Sequence, residues 1–129
     1  MTETAARSHV RQLDREGLAA KGPGERFSQR LLDATSGGRA AAIIYVRTPA
    51  GGGSPSGRHV HDVDQLLYVL EGVVGAEIDG DEIEARPGDL VVIPAGVPHR
   101  NWAVGDAPAT HLEVKAPAPD PSQPGSRPA

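Results

Sequence analysis

The stretch GRHVHDVDQLLYVLEG, Gly57–Gly72, decides how the chain is read. Side chains two apart on a strand point the same way, so His59 and His61 present their imidazoles to one side. Gln65 keeps that parity, as do Leu67 and Val69 after it. Two histidines this close look like the opening of a metal site, in which the next oxygen ligand is usually a carboxylate. Here it is a neutral amide.

Outward from this stretch the chain reads as short strands. FSQRLLD, AAAIIYVRT, QLLYVLEG, VVGAEID, DEIEA, DLVVIPA, HRNWAV and THLEVKA are separated by SGG, PAGGGSPSG, DG, RPGD, PAGVP and GDAP. Such even spacing of strands and turn signals predicts an all-β sandwich or barrel. Asp79-Gly80, between alternating segments, predicts a tight hairpin. Residues 27–115 form this β-domain. Residues 1–26 are a polar arm, helical or extended, with a weak stripe of Val10, Leu13 and Leu18. Residues 116–129, APAPDPSQPGSRPA, have almost nothing to bury and are expected to be a disordered Pro-rich tail.

Composition narrows the chemistry. The 129 residues suit one domain, and 16 glycines with 12 prolines argue against a helical bundle. With no cysteine, disulfides, thiolate zinc sites and cysteine nucleophiles are excluded. The net charge of −4 is uneven. Residues 1–39 carry seven Lys/Arg against five Asp/Glu, and residues 40–115 carry five against eleven. No basic stripe for nucleic acid appears, and the longest apolar run, Ala40–Val46, is too short to span a membrane. No secretory signal is visible at the N-terminus, so a cytoplasmic protein is expected. Gly51–Gly53 lacks the Lys-Ser/Thr of a P-loop, and GSPSG lacks the central serine of a nucleophile elbow.

A third histidine must come from a distant segment. His99 follows a strand and the stiff turn Pro94-Ala-Gly-Val-Pro98, whereas His9 and His111 lack such a setting. A lone strand histidine is more often a surface or satisfied residue than a ligand, and His111 is read that way. Asn101 shares the parity of His99. Arg47 and Arg58 flank the glycine-rich loop and are candidates for gripping a carboxylate; Arg100, of opposite parity, is read as structural. Leu67 and Val69 complete the expected substrate-facing set. No acidic residue stands out as a general base; Asp62 and Asp64 flank the ligands but point to solvent.

Two motifs carry a family resemblance. Gly53-x5-His59-x-His61-x3-Gln65-x6-Gly72 resembles the first cupin motif, with Gln in the Glu position. Gly88-x5-Pro94-x-Gly96-x2-His99 resembles the second, with Ala103 where an Asn is usual. The resemblance implies a small double-sheet jelly-roll β-barrel holding one divalent metal (Fe, Ni, Mn, Co, Cu or Zn) on His59, His61, Gln65 and His99. Three imidazoles and an amide leave the metal's +2 charge uncompensated, which favours Lewis-acid chemistry on an anionic ligand. A His/His/Gln/His set resembles that of small cupins that open or isomerise unsaturated uronic-acid sugars. The expected function is therefore a metal-dependent isomerase, lyase or cyclase acting on a small oxygenated, anionic substrate. The alternatives are a metal-dependent dioxygenase, a non-enzymatic metal or small-ligand binding module, and a metal-free barrel using the same histidines. A homodimer is expected, with small-molecule partners and neither nucleic acid nor membrane.

Overall fold

The structure, a computed structural model, describes residues 9–54 and 57–129. Two five-stranded antiparallel sheets face each other. The first has the order β1-β2-β9-β4-β7, formed by Phe27–Leu32, Ala42–Thr48, Ala109–Ala116, Asp64–Glu71 and Leu90–Ile93. The second has the order β10-β3-β8-β5-β6, formed by Arg127–Pro128, His59–Val60, His99–Ala103, Val74–Ile78 and Asp81–Ala85. This is a jelly-roll sandwich, and every strand-like segment of the sequence between Phe27 and Ala116 falls in a strand.

Alternation in β4 sets the interior: Gln65, Leu67 and Val69 are buried while Asp64, Tyr68 and Leu70 are exposed. Leu67 and Val69 join Val74, Ala85, Val91, Ile93, Ala103 and Ala109 in an apolar cluster that fills one part of the barrel. The Asp79-Gly80 hairpin forms as expected, with φ of 51° and 89°, the left-handed pair a tight turn needs. At Gly75 a Cβ would lie 2.3 Å from the Trp102 indole nitrogen, so glycine is what lets this ring lie flat on the neighbouring strand.

The terminal segments depart from expectation in different ways. Helix α1 covers only Arg15–Ala20, is capped by Asp14 through Gly17 N–H, and buries no residue. Val10 lies outside it and is exposed, so the anticipated apolar stripe does not hold the arm. Polar contacts do: Asp14 N–H donates to Gln29, Gln29 donates to the Gln12 carbonyl, and Arg47 donates to the Lys21 and Gly22 carbonyls. Met1–Ser8 lie outside the described residues.

The tail, expected to be disordered and Pro-rich, carries a short strand. Its Arg127–Pro128 pair forms strand β10 on β3, Arg127 pairs with Asp62, and Ala129 N–H donates to the Arg58 carbonyl. Asp120 accepts from both the backbone and the hydroxyl of Ser122. These contacts are backbone and side-chain hydrogen bonds along the edge of β3 that β8 leaves open.

Candidate metal centre

His59 and His99 are direct partners across β3 and β8, and His61 follows two residues beyond His59. The three rings cluster, with centroids 4.7, 4.3 and 5.0 Å apart. All are buried, and one nitrogen from each lies within 4.8 Å of the others. Gln65 enters from the opposite sheet, opposite Ile93 and Lys115.

Each imidazole is held by its Nδ1. His59 donates to the Gly57 carbonyl at 2.6 Å, His61 to Gly125 at 2.5 Å and His99 to Val97 at 2.9 Å. A carbonyl only accepts, so Nδ1 carries the proton and Nε2 of a neutral ring is a bare lone pair. Burial pushes the His61 imidazolium pKa down to about 4, against the opposing pull of the Gly125 carbonyl, and burial likewise lowers His99. Both rings are therefore neutral near pH 7.

These facts test whether a metal fits. Nε2 of His59 and Nε2 of His61 stand 3.1 Å apart. Two lone pairs that close repel unless a cation lies between them or one ring is protonated, and burial opposes protonation. His99 Nε2 and Gln65 Oε1 are both buried without a hydrogen-bond partner among the described residues. Leaving such atoms unsatisfied costs about 1–3 kcal/mol each. Three imidazoles gather within ligand distance of one another, and Gln65 lines the adjoining chamber, so the residues fit a divalent cation. The imidazole-rich set suits first-row metals such as those expected.

Beside the histidines is a chamber of about 170 Å³, lined by His59, His61, Gln65 and Asn101 together with residues the sequence did not single out. Three of those come from β9: His111, Glu113 and Lys115. His111 is fully buried, and neither ring nitrogen has a partner among the described residues. It stands in register with Val46 on one side and Val69 on the other, both fully buried, and this desolvation takes its pKa down to about 4. Glu113 accepts from Gln65 Nε2 at 2.9 Å and lies 3.5 Å from the Lys115 ammonium. The tail closes the chamber with Ser126.

Other candidates lie elsewhere. Asn101 lines the chamber and accepts from the Ser54 hydroxyl at 2.6 Å. Leu67 and Val69 point inward but are sealed in the apolar cluster, so they support the site from below and do not line the chamber. Arg47 is spent on anchoring the arm, and Arg58 is exposed, away from the chamber. The cations at the chamber are Lys115 and Arg26. Arg100 pairs with Glu77 and lies over Trp102, a structural setting.

The signal for the β9 residues is present in THLEVKA but inverted. Leu112 and Val114 suggest that His111, Glu113 and Lys115 face water. The register with β4, Val69 opposite His111 and Leu67 opposite Glu113, turns the polar set inward.

Comparison with known proteins agrees with this architecture. A cupin-domain family model matches residues 44–115, more than half of the chain. Quercetin 2,3-dioxygenase of Bacillus subtilis (strain 168) is 32% identical over 87 residues, covering 64% of this chain but only 26% of that protein. This chain thus matches about a quarter of that relative's length. Among solved structures, the polyketide cyclase RemF from Streptomyces resistomycificus superposes with a TM-score of 0.67 at 24% identity, over 85% of this chain and 76% of that one. KdgF from Halomonas sp. superposes with a TM-score of 0.64 at 21% identity, over 89% and 92%. At these identities the structural likenesses establish the fold alone.

Proposed function

The chain belongs to the cupin family, and from that premise we propose that it is a metal-dependent enzyme applying Lewis-acid chemistry to a small, oxygen-rich anion. The observation that carries this reading is the donor set: three clustered imidazoles, with the partnerless amide oxygen of Gln65 beside them among the residues of the chamber. When bound, a divalent metal supplies polarisation of a carbonyl or carboxylate oxygen, undiminished by any anionic ligand.

The surrounding residues have roles consistent with that chemistry. Arg26 provides the positive charge for a carboxylate, in place of Arg47 and Arg58, while Lys115 is paired with Glu113. Asn101, steadied by Ser54, offers an amide to a hydroxyl or carbonyl. His111 faces the chamber as a neutral ring with one N–H and one lone pair, suited to exchanging a proton with a substrate held against it. A chamber of about 170 Å³ calls for a small substrate; pockets for drug-sized ligands are roughly 300–1,000 Å³. No described helix is long and apolar enough to cross a membrane.

The protein acts as a homodimer in this reading. Tyr68 and Leu90 are cross-strand partners and, with Leu70 and Val92, form an exposed apolar patch on the first sheet for a second copy to cover. Light scattering on the purified protein checks this, and a monomer at micromolar concentration removes it.

The function is tested by purifying the protein without a metal-binding tag, measuring bound metal by mass spectrometry, and screening loaded protein against enolisable hydroxy and keto acids. Turnover that persists without O2 and falls in His111→Phe supports the reading. A dioxygenase is the second reading, favoured by the 32% identity to quercetin 2,3-dioxygenase. Stoichiometric O2 uptake coupled to substrate loss would establish it instead.

A further inference from the structure

An amide has two nearly isosteric ends, and only one of them can bind a cation. Gln65 presents Oε1 and Nε2 in the same plane, so its own shape does not decide which end faces the histidines. The neighbour decides. Glu113 Oε1 lies 2.9 Å from Gln65 Nε2, and an ionised carboxylate only accepts. The NH2 end is thereby captured and Oε1 is left pointing away, buried and without a partner. Glu113 is held in turn by the Lys115 ammonium at 3.5 Å, and both side chains are largely shielded from water, at 16% and 15% exposure.

The geometry points to Glu113 as the positioning residue of the metal centre, with Gln65 and Glu113 acting together as one split ligand. The amide contributes the oxygen, and the carboxylate stands one hydrogen bond behind it. The negative charge that Gln65 lacks is therefore displaced from the metal, not lost from the site. Lys115 offsets that charge, which keeps the centre strongly electrophilic while its oxygen ligand stays correctly oriented. This inference deepens the metal-centre reading above and rests on it.

The test is a metal titration of four full-length proteins with Mn2+, Co2+, Ni2+ and Zn2+, followed by competition with a chelating dye. The proteins are the wild type, Glu113→Gln, Gln65→Glu and the double swap Gln65→Glu/Glu113→Gln. All three substitutions are close to isosteric, and far-UV circular dichroism checks each fold. Glu113→Gln faces two amides that can pair either way round, so its affinity should fall at least tenfold. Gln65→Glu alone sets two carboxylates against each other. The double swap restores the hydrogen bond with its direction reversed, so it should bind at least tenfold more tightly than Gln65→Glu alone. A residue with a merely structural role would show no such rescue. An affinity for Glu113→Gln within twofold of the wild type overturns the inference, as does a double variant whose affinity is the simple product of the single effects. Should Glu113→Gln fail to fold, the comparison of the double swap with Gln65→Glu decides alone. Binding by the wild type without coupling removes Glu113 and leaves the metal centre standing; absence of binding by the wild type with all four metals overturns both.

Discussion

The inside of this barrel is two environments built from the same strands. In β4, Leu67 and Val69 sit in the apolar cluster while Gln65, on the same face, lines the chamber with His59 and His61. In β9, Ala109 belongs to the cluster while His111, Glu113 and Lys115 line the chamber. One end buries aliphatic carbon and draws its stability from the hydrophobic effect. The other buries donors and acceptors, which is costly unless each finds a partner. The first kind of burial makes the fold, and the second kind only makes sense if something binds.

Substitutions should separate the two ends. The largest effect is expected from His59→Ala, which removes one of three clustered imidazoles: metal content should fall at least a hundredfold by mass spectrometry. Because the lone pair facing His61 goes with it, the chelated variant should melt no lower than the chelated wild type. Added metal should raise the melting temperature of the wild type and leave that of the variant unmoved.

Leu67→Ala attacks the other end. Leu67 is fully buried, and truncation of such a side chain costs about 2–5 kcal/mol. Urea unfolding of the chelated protein measures it. A loss below about 1 kcal/mol would mean that the cluster does not carry the fold.

A third effect comes from pH. His111 has a folded pKa of about 4 against an ordinary 6.5. Between these values the unfolded chain binds the extra proton and the folded chain does not, so stability rises with pH. Its contribution is complete above about pH 6.5 and is lost as pH falls toward 4, by up to about 3 kcal/mol. Urea midpoints of the chelated protein across this range should decline toward acid, and His111→Val should flatten part of the slope.

The smallest effect is expected at the latch of the tail. Arg127 and Asp62 are both exposed, and such pairs contribute about 1 kcal/mol or less. Arg127→Ala should leave the unfolding free energy nearly unchanged. Its informative readout is the metal dissociation rate, which should rise if the tail, through the Gly125 carbonyl, steadies His61.

Much of this was legible in the sequence because it rests on local rules. The alternation of QLLYVL, the Asp79-Gly80 turn and the His59-x-His61 spacing each depend on strand parity or turn geometry, which a few neighbouring residues determine. The metal candidates His59, His61, Gln65 and His99 followed from that parity with the motif resemblance; the structure clusters the three histidines and puts Gln65 on the lining of the adjoining chamber. Leu67 and Val69 were rightly turned inward, but parity does not say how deep along the barrel a residue lies, and depth makes them core. Arg47 and Arg58 were chosen for their position beside a loop, whereas long side chains go where partners are, and Arg47 found its partners in the arm.

What the sequence by itself determined is therefore the strand segments, the turns and the pair of histidine motifs. Only the tertiary structure decided which face of β9 is inside. From His111 onward, HLEVKA alternates polar and apolar residues, and local hydrophobicity would bury Leu112 and Val114. The pairing with β4 instead places His111 beside Val69 and Glu113 beside Leu67. Register between strands about forty residues apart is a long-range property, set by the whole sheet's need to close over its core. It brought the carboxylate to the glutamine, where no local pattern could have placed it.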